Sequence, residues 1–166
     1  MWRGFAKFFN KYPKQKKIAQ KLLEYGLKIE NNKIYCEEIE IPDTKIARAF
    51  CVDRRIIKST IETIMKNREL SNVFSNLCPT CHLKNVASKM HWSVIEIIPT
   101  DPSLPGIISN VAKIVAEEKI SIRQAIVEDF ELSEEPRLRI IIEEKFPPQL
   151  IQKIKDAQGI KAVLIY

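Results

Sequence analysis

Glycine is scarce in this chain, with four in 166 residues. That excludes the Gly-rich loops that cradle nucleotide phosphates, which concentrate several glycines in one turn. Histidine is scarcer still: His82 and His91 are the two present, and neither has a Ser or Asp neighbour arranged as in a nucleophilic triad. The chain is therefore expected not to be an enzyme, and no cofactor is expected. No apolar run reaches the roughly 18 residues of a membrane span. The opening segment MWRGFAKFFNKYPKQKK has neither the apolar core nor the small-residue cleavage site of a secretory signal. A cytoplasmic protein with no membrane partner is expected. Its four cysteines, Cys36, Cys51, Cys78 and Cys81, are then expected as reduced thiols. The richness in Lys, Glu and Ile keeps open a thermophilic source, in which intracellular disulfides occur.

What the sequence does hold is charge, unevenly placed. Up to His91 there are 18 Lys and Arg against 9 Asp and Glu; beyond it there are 9 against 12. A first part at +9 and a second at −3 imply two domains with different partners, a polyanion being the natural one for the first. With 45% hydrophobic residues, each can bury a modest core. The expected divisions are a domain over 1–75, a connector over 76–91 and a second domain over 92–166.

The first domain reads as helical with a β-hairpin. Trp2, Phe5, Phe9 and Tyr12 recur at helical spacing, as a core or dimer stripe rather than a membrane-surface helix. A second helix carries Ile18, Ala19, Leu22, Leu23 and Tyr25 inward and stops at Gly26. The segment LKIENNKIYCEEIEI then alternates as strands, turning at Asn31-Asn32.

Two helices follow in close succession. Asp43 is placed to cap Thr44 to Phe50, which buries Ile46, Ala47 and Phe50, and Asp53 to cap Arg54 to about Lys66. Only Cys51 and Val52 separate them, which is the layout of a helix-turn-helix. At 100° per residue, Ile56, Ile57, Ile61 and Ile64 share one side of the second helix, and Arg54, Arg55, Lys58, Ser59, Glu62 and Lys66 the other. In such a motif the first turn of the second helix reaches base edges, where Arg pairs with guanine. Lys45 and Arg48 on the preceding helix would serve the phosphates. DNA is the expected partner, through Lys45, Arg48, Arg54, Arg55, Lys58 and Ser59; a merely solvated helix face is the alternative.

From residue 93 the pattern changes to a regular alternation. SVIEIIPT is a strand, GIISNVAKIVAEEK a helix burying Ile108, Val111, Ala112 and Val115, and ISIRQAIVEDF a strand. In RLRIIIEE, Leu138, Ile140 and Ile142 face one way and Arg137, Arg139 and Ile141 the other. Pro147 and Pro148 start a helix, and IKAVLIY ends the chain as a strand. The order βαββαβ predicts a ferredoxin-like sandwich, so the whole is expected as α+β.

The turn TDPSLPGIISNVAKIVAEEKISIRQ resembles the ACT domain family at Asp101, Pro105, Gly106, Ser121 and Ile122. Its loop is longer than the common form, and Ser121 stands where Asn is frequent. The resemblance, over 92–166, implies a regulatory domain that senses an amino acid and pairs as a homodimer. The implied ligand-binding residues are Asp101, Ser103, Leu104, Gly106, Ile107, Ser121, Ile122 and Gln124. The helix start at Gly106 and Ile107 offers unpaired amides to a carboxylate, with Asp101 as acceptor for an ammonium and Ser121 and Gln124 closing the site from this or a partner chain. With VDRRIIKSTIETI added, the whole chain looks like a group of archaeal predicted regulators of amino-acid metabolism. A transcriptional regulator is thereby implied; an amino-acid-sensing subunit acting by protein contact remains the alternative.

LCPTCHLKNVASKMHW carries a Cys-x-x-Cys-His. Covalent haem attachment belongs outside the reducing cytoplasm. A zinc site needs four ligands, and Cys78, Cys81 and His91 supply three. A redox pair would open a helix after a strand, and the residues before Cys78 do not read as a strand. The stretch is expected as a connector, with no metal assigned.

Overall fold

The structure, a computed structural model, describes residues 2–166. It is a mixed α+β chain with two antiparallel sheets, divided into two compact units, 1–81 and 82–166. The stretch 76–91 is thus shared between them.

In the first unit, α1 (Trp2–Ala6) runs into a 3-10 turn (Lys7–Phe9), and Trp2, Phe5 and Phe9 are buried. Tyr12, expected in the same stripe, is exposed, because the helical course ends before Pro13 starts α2 (Pro13–Glu24). The core stripe of α2 is Ile18, Ala19, Leu22 and Leu23. Tyr25, expected inward, is exposed and stacks on Phe50 with ring centroids 6.0 Å apart. It sits at the C-cap, where the chain has left the helix period. Gly26 follows at φ +63. Its amide donates to Leu23 O and the Leu27 amide to Leu22 O, which is the Schellman closure.

A three-stranded meander comes next: β1 (Lys28–Glu30), β2 (Lys33–Cys36) and β3 (Ile39–Ile41). Asn31 and Asn32 both have positive φ, as a two-residue type I′ turn requires. The third strand goes beyond the expected hairpin; it arises because Glu37 also turns at positive φ. Then come α3 (Asp43–Ala49), α4 (Arg54–Lys66) and α5 (Arg68–Phe74). Ile57, Ile61 and Ile64 of α4 are buried with Leu70 and Phe74 of α5, while Ile56 and Phe50, both expected in the core, are half-buried.

The second unit opens with α6 (Lys84–Ala87) and continues β4 (Ser93–Pro99), α7 (Ile107–Glu117), β5 (Ile122–Val127), β6 (Leu138–Ile142), α8 (Pro148–Lys155) and β7 (Ile160–Ile165). After α6 the order is βαββαβ, with strands arranged β5-β6-β4-β7 and every pair antiparallel. One core joins Ile95, Ile97, Leu138, Ile140 and Ile142 to Val111 and Val115 of α7 and Leu150 and Ile154 of α8. Both long helices therefore cover one sheet face. Ile108, expected in that core, is about half exposed: Val111 and Val115, four apart, take the sheet-facing positions. The opposite face carries a smaller cluster of Ala87, Val94 and Ile141, with Leu83 and Trp92 packed on it. Among the described residues no helix is long and apolar enough to cross a membrane.

Candidate functional sites

The helix pair α3–α4 turns through four residues. Phe50 ends α3, Cys51 takes the left-handed conformation at φ +54, and its amide donates to Arg48 O while the Val52 amide donates to Ala47 O. Asp53 then caps α4, its Oδ1 accepting from the Arg55 amide at 2.7 Å. Asp43 is not the N-cap: α3 begins at Asp43 itself, after Pro42, and its carboxylate accepts from Arg54 Nε at 2.9 Å. That hydrogen bond, foremost, holds the Asp43 carboxyl below the usual carboxylate range. The Arg55 side chain returns to Asp53, with Nε 3.2 Å from Oδ1.

Lys45, Arg48, Arg54, Arg55 and Lys58 are all exposed. Ser59 is not on that face. It is half-buried against α2, its hydroxyl donating to Ile56 O and accepting from Gln15 Nε2, both at 3.1 Å. Gln15 also accepts from Thr63 at 2.9 Å, so Ser59 belongs to the α2–α4 packing. A cavity of about 510 Å³ lies beside the basic turn, between the meander and α4. Lys33, Arg54 and Lys58 line it, and so do Glu40, Asp43 and Glu62, a mixture of signs that periodicity along α4 alone does not disclose.

In the second unit a cavity of about 430 Å³ opens at the start of α7. Leu104, Gly106 and Ile107, of the residues expected to bind a ligand, line it. Pro99, Pro105, Ile108, Val127, Pro136 and Leu138 complete a largely apolar wall, to which Glu128 and Arg137 also belong. The alternation in RLRIIIEE held the signal for Leu138, but the pairing that sets Val127 opposite it is a sheet property. Gly106 is the N-cap at φ +96, and α7 has no side-chain cap, so its first amides lack intrahelical acceptors.

Asp101 is exposed and folded back on its own loop. Its Oδ1 accepts from the Ser103 amide at 2.9 Å and the Ser103 hydroxyl at 2.7 Å, and those bonds lower its pKa. Neither residue lines the cavity. Ser121 and Ile122 lie at the other end of β5 from Val127, in a separate depression with Arg123 and Glu143. Gln124 accepts from the Leu83 amide at 3.0 Å. The fold of one chain therefore does not bring Ser121, Ile122 or Gln124 to the cavity at Gly106.

Glu96, unremarked in the sequence, is the most charged buried position of the second unit. It is fully buried on β4 and accepts from Lys84 Nζ at 2.5 Å, Arg137 Nη1 at 2.6 Å and Arg139 Nε at 2.6 Å. Burial by itself would push its carboxyl up; the hydrogen bonds from Lys84, Arg139 and Arg137 outweigh that and hold it at about 2. The alternation in SVIEIIPT placed an acid between apolar residues, and Lys84 of α6 with Arg139 of β6 and Arg137 just before it make that tolerable. Cys78 and Cys81 are exposed and close the first unit, and His91 belongs to the second. Among the described residues no group of three His, Cys, Asp or Glu is placed to hold a metal.

No family model matches the chain, and no curated protein matches it. Among solved structures it is similar to the crystal structure of an AsnC family transcriptional regulator from Agrobacterium tumefaciens, at TM-score 0.30 and 12% identity over 92% of this chain and 86% of that one.

Proposed function

We propose that this chain is a ligand-responsive regulator of amino-acid metabolism whose first unit binds duplex DNA and whose second, ACT-like unit binds a free amino acid. The observation that carries the reading is the exposed cluster Arg54, Arg55 and Lys58 at the capped first turn of α4, reached by a tight turn from α3. A helix presented in this way suits the major groove, with Lys45 and Arg48 of α3 on the backbone. The apolar cavity beside the uncapped start of α7 supports the second half: its amides suit a carboxylate and its walls an apolar side chain. Asp101, Ser121 and Gln124 would enter such a site only from a rearranged loop or a partner chain. The proposal therefore includes a homodimer through residues 92–166, which would also supply the two-fold symmetry of paired half-sites. It assigns a cytoplasmic place and no reaction, and the archaeal likeness of the sequence belongs to it.

A second reading is favoured by one feature. Arg54 and Arg55 are both engaged by carboxylates, Asp43 and Asp53, as they would be on a surface that meets protein rather than phosphate. On that reading the chain is an amino-acid-sensing subunit acting by protein contact. Selection of genomic DNA fragments by the purified full chain, with and without a pool of the amino acids, separates the two. Enrichment of discrete fragments, altered by the pool, is expected; absence of any salt-sensitive enrichment would leave the protein-contact reading.

A further inference from the structure

The second unit contains a buried charge, Glu96, held by three cations from two stretches of the chain. Glu96 lies on the sheet face opposite α7 and α8, and Arg137 and Arg139 between them occupy both of its carboxylate oxygens. Two guanidinium donors suffice to keep a buried carboxylate from being orphaned. Each arginine is shared with a second carboxylate, Arg137 with Glu135 and Arg139 with Glu128, and Lys84 is the third cation of the cluster. It opens α6, a helix of four residues without a side-chain cap. Besides Lys84, α6 is held to the sheet by the small apolar cluster around Ala87 and by the bond from the Leu83 amide to Gln124. Undocking α6 would cost that limited contact and the Lys84 bond, while the two arginines would still bond both Glu96 oxygens. A short element with two arrangements close in free energy is what a coupling device requires.

The other end of the same network borders the cavity. Val127 of β5 stands opposite Leu138 of β6, and both line the cavity wall. Their chain neighbours are Glu128 and Arg137, joined by a backbone bond of 3.0 Å. Arg139 Nη1 donates to Glu128 Oε1 at 2.5 Å, and Arg137 donates to Glu96. Glu128 and Arg137 also line the cavity, so the cavity and the Glu96 cluster share residues at the ends of β5 and β6. A displacement of Val127 or Leu138 would be passed along the chain to Arg137 and Arg139, on which Glu96 relies. The Lys84 bond to Glu96 would change with it.

We infer that the Glu96 cluster is a relay that converts filling of the cavity by a free amino acid with an apolar side chain into a change in the docking of α6, the segment that opens the second unit. The inference rests on the cavity being the effector site and names the residues through which the effector would act. Arg139 and Lys84 are positioning residues in it and stand outside the cavity lining, whereas Arg137 belongs to both the lining and the cluster.

The test is hydrogen exchange of the full chain, wild type and Lys84→Met, with each of the twenty amino acids at millimolar concentration, alongside thermal shifts of both proteins. Lys84 is part-exposed, so the variant is expected to fold. An amino acid that raises the wild-type midpoint should change exchange of the Val86 and Ala87 amides by about threefold or more, as local opening equilibria allow. In Lys84→Met the midpoint shift should persist and the exchange change should vanish. An unchanged α6 in wild type despite a midpoint shift, or the same change in Lys84→Met, overturns the relay and leaves the effector site standing. No midpoint shift with any amino acid overturns the effector site, and the relay with it.

Discussion

Arg54 on α4 and Asp43 on α3 form a 2.9 Å hydrogen-bonded ion pair across the turn that joins their helices. Arg54 is more than half exposed, so the pair adds less than about 1 kcal/mol to stability. What it decides is where the guanidinium points. Asp43→Asn is expected to change unfolding free energy by less than about 1 kcal/mol in denaturant titration, and to tighten binding to duplex DNA by removing a competitor for Arg54. Weaker DNA binding in Asp43→Asn would show that Asp43 positions Arg54 rather than competing for it.

Binding to DNA through this unit should fall steeply with salt, by about 0.9 in log K per log unit of salt for each phosphate contact. Lys45→Ala should flatten that slope by roughly one contact and weaken all sequences alike. Arg55→Ala should instead blur sequence preference, at about 1 to 3 kcal/mol for a lost bidentate base contact. Fluorescence anisotropy across a salt series with specific and scrambled duplexes distinguishes the two effects.

Three positive-φ positions respond differently to substitution. A Cβ on Gly26 would lie 2.4 Å from the Cys78 carbonyl oxygen and 2.7 Å from Pro79 Cα, so Gly26→Ala must displace backbone as well as strain its own. A Cβ on Gly106 meets nothing nearer than Ser109 Oγ at 3.9 Å, and there only φ +96 opposes it. Gly106→Ala should cost about 1 to 3 kcal/mol, Gly26→Ala clearly more. Cys51, at φ +54 where glycine is favoured, should gain up to about 1 kcal/mol on Cys51→Gly. Thermal unfolding of the three variants reads out the order, and equal losses at Gly26 and Gly106 would contradict the close approach to Cys78.

The pH dependence follows from Glu96. Its folded-state pKa, about 2, lies below an unfolded value of about 4.3. Its contribution is therefore complete above about pH 4.3 and is lost as pH falls from there through about 2. Glu96→Gln leaves three cations around a neutral group and should cost about 3 kcal/mol at neutral pH. The difference between wild type and variant should shrink on acidification over that window. A gap that stays constant to pH 2 would mean the carboxylate is not what holds Lys84, Arg137 and Arg139.

Local chemistry made much of this architecture legible. Asp53 had one placement that capped α4, Asn31-Asn32 one turn type, and the period-2 pattern of 137–142 one assignment of faces, because each is dictated within a few residues. The βαββαβ order followed from the same periodicities. What no local signal held was decided by packing. Asp43 had two possible uses, cap or ion pair, and the approach of α4 selected Arg54. Ser59 lay on the polar side by angle, yet Gln15 of α2 drew it inward. Ser121, Ile122 and Gln124 read as companions of Gly106 until β5 ran past the cavity and placed them at its other end or on its other side. Glu96 is the plainest case. A carboxylate among isoleucines is unfavourable anywhere along the sequence, and only a sheet that sets β6 beside β4, with α6 laid across them, supplies the three cations that let it remain charged.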